Sequence, residues 1–195
     1  MEKVIFLDRD GTLNEEVNYL HRKEDLKILD GVPEALRMLK EHGYKLVVVT
    51  NQAGVARGYY AEVDVEELHR YMNGLLKPLG AEIDAFYYCP HHPEHGIGEY
   101  KVVCHCRKPE TGMFEMAEQE FEVDKAASWM IGDKLIDVQA GKNYGVKTVL
   151  VGTGYGAEIH AGLTAETVIP EKEGAMPYDI YAETLADAAR AITGA

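Results

Sequence analysis

Long apolar runs are missing from this 195-residue chain. No stretch approaches the roughly 20 apolar residues that cross a bilayer, and the opening MEKVIFLDRDG becomes charged too early for the core of a signal peptide. A cytoplasmic protein without a membrane partner is therefore expected. Basic side chains are also scarce: 20 Lys and Arg against 33 Asp and Glu give a formal net charge of −13. Such a surface repels phosphate polyanions, which argues against nucleic acid as a partner. Cysteine is limited to three residues, an odd number and too few for a disulfide framework. Internal repeats and Ser- or Pro-rich linkers are absent. At 46% hydrophobic composition, 195 residues suit one domain with a sizeable core, taken here as residues 1–195 and a monomer.

Short apolar runs alternate with helical patterns. VIFL (4–7) ends at Asp8 and the β-branched KLVVVT (45–50) ends at Thr50, and both read as strands buried on two faces. Between them, GVPEALRMLKEHG has Pro33 near a helix start, Leu36 and Leu39 on one face, and Gly43 as its stop. A helical stripe then runs through Val65, Leu68, Met72, Leu75 and Leu76, followed by AFYYC as a strand and GMFEMAEQEF as a helix. SWMIGD, IDVQAGKNYG and KTVLVG read as strand, helix and strand. Strands alternating with helices imply an α/β fold with a doubly wound parallel sheet, helices on both faces and no large cap domain. Residues 155–178 carry too weak a period to assign, whereas YAETLADAARAI reads as a final surface helix.

In such a sheet, ligands bind beyond the carboxyl ends of the strands. Four polar clusters lie there: DRDGTLN with Asp8 and Asp10, TNQ with Thr50, CRKP with Arg107 and Lys108, and GDKLID with Asp133 and Asp137. Taken singly, each is an ordinary cap, turn or solvated pair. Their joint occurrence after buried strands is a pattern that the bland reading does not supply. Carboxylates beside a lysine suit Mg²⁺ and a phosphoryl group, with Asp8 and Asp133 as metal ligands. Once screened by Mg²⁺ and Lys108, a phosphoryl group can be attacked by a carboxylate, and Asp10 can serve the leaving oxygen as general acid. That role needs a protonated Asp10, which neighbouring carboxylates are expected to favour by raising its pKa. Arg57, in VARG, is a candidate for a distal anionic group of the substrate.

All three cysteines and four of the eight histidines fall in CPHHPEHGIGEYKVVCHCRKP, residues 89–109. Cys89-x-His91 and Cys104-x-Cys106 form two arms that together make a tetrahedral zinc set. His92, His95 and His105 are rival ligands; His105 would point away from its neighbours if 104–106 is extended. Four protein ligands leave no open position for water, so this zinc would be structural, bracing the loop that leads into Arg107 and Lys108.

DRDGT after a hydrophobic strand, then Thr50, Lys108 and GDKLID, resembles the four-motif signature of the haloacid dehalogenase (HAD) superfamily of phosphotransferases over roughly residues 1–155. FLDRDGTLN, VVTNQAGVARG, YYCPHHPE, CHCRKPETGM and MIGDKLIDVQAG further resemble the heptose-bisphosphate phosphatases, and less closely the histidinol-phosphatase domain. The resemblance implies a Mg²⁺-dependent phosphomonoesterase that removes the 7-phosphate of a heptose 1,7-bisphosphate through an aspartyl-phosphate. It implies Asp8 as nucleophile, Asp10 as acid/base, and Thr50 and Lys108 as stabilisers of the phosphoryl group. Mg²⁺ would lie on Asp8, the Asp10 carbonyl and Asp133, and zinc on Cys89, His91, Cys104 and Cys106. Substrate contacts would fall on Glu16, Val17, Asn18, Tyr19, Thr50, Asn51, Gln52, Ala53, Arg107, Lys108 and Lys134. Histidinol phosphate is the rival substrate. A receiver-type signalling domain is disfavoured because its phosphoacceptor follows its acidic metal ligands, whereas here the Asp-x-Asp pair leads.

Overall fold

The computed structural model describes residues 1–167 and 176–195. β1 (Lys3–Leu7) and β2 (Tyr44–Asn51) pair in parallel from Lys3↔Tyr44 to Leu7↔Val48. The crossover between them is α1 (Val32–Glu41), which starts after Gly31 in a left-handed conformation with Pro33 in its first turn, and buries Val32, Ala35, Leu36 and Leu39. α2 (Ala53–Ala56), α3 (Glu62–Leu76) and β3 (Ala85–Cys89) follow, then α4 (Gly112–Glu118), β4 (Trp129–Gly132) and α5 (Leu135–Tyr144). β5 (Lys147–Val151), α6 (Gly156–Thr167), β6 (Ile180–Ala182) and α7 (Leu185–Thr193) complete the chain.

All six strands join one parallel sheet in the order β3-β2-β1-β4-β5-β6. Strand side chains alternate between two cores, as the two-residue period requires. Ile5, Leu7 and Val48 face a layer formed by α1, α7 and the end of α3, with Leu36, Leu39, Met72 and Leu185. Val4, Phe6, Val47 and Val49 face α4 and α5, where Phe6 meets Phe114 at 4.7 Å and Tyr144 at 5.5 Å between ring centroids.

The chain winds outward from β1 in one direction and from β4 in the other, so the crevice between these neighbours is the switch point where α/β sheets bind ligands. Leu7 is in register with Ile131, and the Asp8 N–H donates to the Ile131 carbonyl at 2.9 Å. The carboxylates that follow the two strands are thereby brought side by side.

Two expectations need correction. α4 ends at Glu118 rather than at Phe121. YAETLADAARAI is not one surface helix: Tyr181 and Ala182 belong to β6, and α7 begins after Thr184, whose hydroxyl accepts the Asp187 N–H while Asp187 accepts the Thr184 N–H. One face of α7 buries Leu185, Ala188 and Ala189 in the core that contains α1. Of the unassigned segment 155–178, residues Gly156–Thr167 are helical and 168–175 lie outside the described residues. No described helix is long and apolar enough to cross a membrane.

Candidate active site

Asp8 leaves the end of β1 and Asp133 the end of β4, and Asp137 stands in the first turn of α5. One carboxylate oxygen from each lies within 4.8 Å of the others. Lys108, 2% exposed, joins this cluster from the loop before α4 and donates to Asp8 Oδ1 at 2.8 Å and to Asp137 Oδ1 at 2.6 Å. Burial works against the ammonium, but Asp137 and Asp8 outweigh it and hold the lysine above its usual range. Asp133 is pushed up to about 7 by burial and then by the nearby Asp8. Asp137 is pushed up to about 6 by burial, with Lys108 pulling the other way.

Glycines make room for Asp133. A Cβ at Gly11 would fall 2.4 Å from Asp133 Oδ2, and one at Gly154 would fall 2.2 Å from it. Oδ2 accepts the Tyr155 N–H at 3.0 Å, whereas Oδ1 is buried without a hydrogen-bond partner. A buried carboxylate oxygen with no donor, beside two further carboxylates, is a donor set suited to a hard divalent cation.

Asp10 occupies a different environment from the one expected. Its carboxylate receives Arg9 Nε at 3.2 Å, Arg9 Nη2 at 3.1 and 3.0 Å, Asn14 Nδ2 at 3.0 Å and Gln52 Nε2 at 3.0 Å. Burial pushes the carboxyl up, but the Arg9 guanidinium and these hydrogen bonds together hold it below the ordinary carboxylate range. The expected rise is thus reversed, because Asp10 faces a cation and two amides rather than other carboxylates.

Cys89 ends β3, and His91, Cys104 and Cys106 gather beside it, all four ligand atoms within 4.8 Å of one another. His91 Nδ1 is 3.7 Å from both Cys89 Sγ and Cys106 Sγ, close to the edge of a tetrahedron whose metal–sulfur bonds are about 2.3 Å. Cys104 and Cys106 Sγ are closer, at 2.8 Å. Hydrogen bonding from Cys106 holds Cys89 down to about 6 and pushes the Cys106 thiol up, so without metal one sulfur of the pair is thiolate-like and the other keeps its proton. Two of the three rival histidines have ring partners elsewhere, and His95 is not among the four clustered ligands. His92 Nδ1 accepts the N–H groups of Glu94 and His95, and His105 pairs with Glu115 at 3.0 Å. The cluster is tied to the carboxylate rim: Arg107 N–H donates to the Cys104 carbonyl, and Arg107 Nη1 to the His91 carbonyl, each at 3.1 Å.

A cavity of about 780 Å³ opens over the rim. Asp8, Asp10, Glu16, Asn18, Tyr19, Thr50, Asn51, Gln52, Ala53, Arg107, Lys108 and Lys134, all singled out in the sequence, line it. Val17 and Arg57 do not. The chain reverses at Tyr19, at φ +59°, leaving Val17 exposed, and the Arg57 guanidinium lies over the Tyr19 ring at 5.8 Å. Lys134 Nζ is already paired with Glu16 Oε2 at 2.8 Å.

The HAD-hydrolase-like family model matches residues 105–188, and the polynucleotide kinase 3 phosphatase model matches residues 3–145. The D-glycero-beta-D-manno-heptose-1,7-bisphosphate 7-phosphatase of Haemophilus ducreyi is 45% identical over 179 residues, spanning 91% of this chain and 98% of the relative. Its counterpart in Escherichia coli strain K12 is 44% identical over 190 residues, spanning 96% and 92%. The chain belongs to the heptose-bisphosphate phosphatase family. A crystal structure of the D,D-heptose 1,7-bisphosphate phosphatase from B. bronchiseptica, complexed with magnesium and phosphate, is similar with a TM-score of 0.81 at 30% identity, covering 98% of each chain.

Asp137, named in the GDKLID cluster without a role, belongs to the carboxylate group. Ile136 of GDKLID and, from segments without a chemical pattern, Tyr60, Tyr155, Glu158 and Ile159 complete the cavity wall. Asn51 clamps Lys108 by its backbone: Oδ1 accepts the Lys108 N–H at 3.0 Å and Nδ2 donates to the Lys108 carbonyl at 3.1 Å.

Proposed function

We propose that this chain hydrolyses the 7-phosphate of D-glycero-D-manno-heptose 1,7-bisphosphate, with Asp8 as nucleophile. The observation that carries the reading is the convergence of Asp8, Asp133, Asp137 and Lys108 on one phosphate-sized volume at the switch point of the sheet. The names of the relatives supply the sugar.

Asp8, Asp133 and the Asp10 carbonyl would hold Mg²⁺, with Asp137 near enough to join or orient them. Bound there, the ion would supply Lewis-acid screening of the phosphoryl oxygens. Lys108, held between Asp8 and Asp137, contributes a fixed positive charge to the same oxygens. Thr50 Oγ1 accepts from Gln52 Nε2 at 3.0 Å, which leaves its own proton for the phosphoryl group. An Asp8 oxygen forms a bond to phosphorus while the bond to the sugar oxygen breaks; water then cleaves the aspartyl-phosphate and frees Asp8. Asp10 serves the departing oxygen first as acid and the attacking water next as base. Arg9 keeps Asp10 ionised at rest, so its protonation depends on the substrate dianion beside it, whose charge raises the carboxyl.

Zinc on Cys89, His91, Cys104 and Cys106 would brace the loop from which Arg107 and Lys108 project. Arg107 spends one donor on the His91 carbonyl, keeps others for the distal phosphate and lines the cavity, whereas Arg57 stands outside the lining with its guanidinium over the Tyr19 ring. Lys134, neutralised by Glu16, is the weaker candidate.

The test is phosphate release, with Mg²⁺ present, across heptose 1,7-bisphosphate, heptose 7-phosphate, histidinol phosphate, simple sugar phosphates and a 3′-phosphorylated oligonucleotide. The reading requires the highest kcat/KM for the bisphosphate. Preference for histidinol phosphate or for the oligonucleotide would overturn it.

A further inference from the structure

Behind Asp10, on the side away from the cavity, lies an arrangement that the proposed reaction does not yet use. His69 sits on the buried stripe of α3, four residues after Val65 and three before Met72, and is 4% exposed. Its ring stacks on Phe86 at 4.7 Å between centroids. Its Nε2 lies 3.2 Å from Nη1 of Arg9, a residue that is 0% exposed.

A guanidinium only donates, so Nε2 is the acceptor and the imidazole is neutral with its proton on Nδ1. Burial, and then the facing Arg9 charge, push His69 down to about 3, in keeping with that state. The other charged and titratable groups around it are Asp10 beyond Arg9, Glu66 and Arg70 on α3, and Tyr88 on β3. The remaining donors of Arg9 point forward. Nε and Nη2 meet both oxygens of Asp10, and Nη2 also reaches the Leu20 carbonyl and Gln52 Oε1, each at 3.3 Å. Gln52 Oε1 is fixed in turn by the Tyr60 hydroxyl at 2.8 Å. On the Nη1 side, His69 is the side chain that receives the guanidinium.

Resting on the reading of Asp10 as acid/base, we propose that His69 is a positioning residue for proton transfer: it anchors Arg9 from behind, and Arg9 thereby fixes the orientation of the Asp10 carboxylate. A planar guanidinium transmits this directly, because a rotation that frees Nη1 also swings Nε and Nη2 away from Asp10. Misplacing a reacting group by even about 1 Å lowers turnover by orders of magnitude.

A second cavity makes the idea testable by chemical rescue. It has a volume of about 380 Å³, is lined by Glu66, His69, Arg70, Asn73, Phe86 and Tyr88, and shares no lining residue with the active-site cavity. Removal of the His69 ring would open a path from this cavity to Arg9, wide enough for free imidazole.

The experiment measures kcat and KM on heptose 1,7-bisphosphate for the wild type, His69→Ala, His69→Leu and His69→Gln, with and without added imidazole. Each change is repeated on an Asp10→Asn background. The two non-accepting variants should lose about 10- to 100-fold in kcat with KM changed by less than about 2-fold. His69→Gln, which retains an acceptor, should recover most of the loss, and imidazole should restore His69→Ala saturably without affecting the wild type. On the Asp10→Asn background the His69 changes should add no further loss, since residues that act through one group are not additive. Unchanged kcat, full additivity with Asp10→Asn, or failure of both non-accepting variants to fold would each overturn the proposal. A wild type that does not release phosphate from the bisphosphate would overturn the reaction itself instead, so the two failures are told apart.

Discussion

With magnesium omitted, Asp133→Asn should be more stable than the wild type, and the margin should grow with pH. Asp133 is 0% exposed and its carboxyl is raised from 3.8 to about 7, first by burial and then by Asp8. A carboxyl raised by folding favours the fold while it is protonated. Its contribution is complete below the unfolded value and is lost as pH climbs through about 7. At about 1.4 kcal/mol per pKa unit, holding the ionised form in the metal-free fold costs up to about 4 kcal/mol at pH 8 and less than about 2 kcal/mol at pH 5. Asparagine keeps the shape and can still accept the Tyr155 N–H, but carries no charge. The assay is urea unfolding of both proteins at pH 5 and pH 8, read as a difference so that buried His69, which titrates in the opposite sense, cancels. Mg²⁺ at about 100 times its Kd adds about 2.7 kcal/mol to the protein that binds it, so it should reverse the order at pH 5 and narrow the margin at pH 8. A variant that is less stable at pH 8 without magnesium, or a margin independent of pH, would refute the reasoning.

Lys108→Met should lower kcat by about two to three orders of magnitude. It should also destabilise the protein by about 3–5 kcal/mol at neutral pH, because Asp8 and Asp137 lose their buried counter-charge; turnover and calorimetry read the two effects. Removal of zinc while magnesium is retained should lower both Tm and rate, as should Cys104→Ser, and a stable, fully active zinc-free protein would exclude the bracing role. Arg107→Ala should raise KM for the bisphosphate by about 10- to 100-fold, in line with loss of a charge-assisted hydrogen bond, and leave the monophosphate nearly unaffected. Competition between the two substrates measures this.

The core strands were legible because VIFL and KLVVVT are apolar on both faces and stop abruptly at Asp8 and Thr50, which is how a central parallel strand ends at a ligand crevice. The Cys/His arms were legible for a similar reason: their one-residue spacings bring ligands together with little dependence on the rest of the fold. β6 escaped notice because three residues, Ile180–Ala182, give no period to detect, and adjacent helix formers drew Tyr181 and Ala182 into the final helix. Asp10 shows a deeper limit. Its charge could be read from DRDG, but its pKa depends on where the Arg9 side chain turns, and that is decided by His69 and Gln52, 60 and 43 positions away from Arg9. Which side chains of residues 16–19 line the cavity was illegible for the same reason, since the left-handed turn at Tyr19 is not written in the local pattern.

The central claim is that Asp8 becomes phosphorylated during turnover, and the most direct measurement is mass spectrometry of the acid-quenched Asp10→Asn variant mixed with heptose 1,7-bisphosphate and Mg²⁺. Asp10 is acid in the first step and base in the second, so both slow in the variant, but on prolonged mixing one phosphoryl group should be found on the peptide that contains Asp8 and be absent from an Asp8→Asn control. Phosphate release without any phosphorylated peptide, or a phosphoryl group on a different residue, would contradict the account.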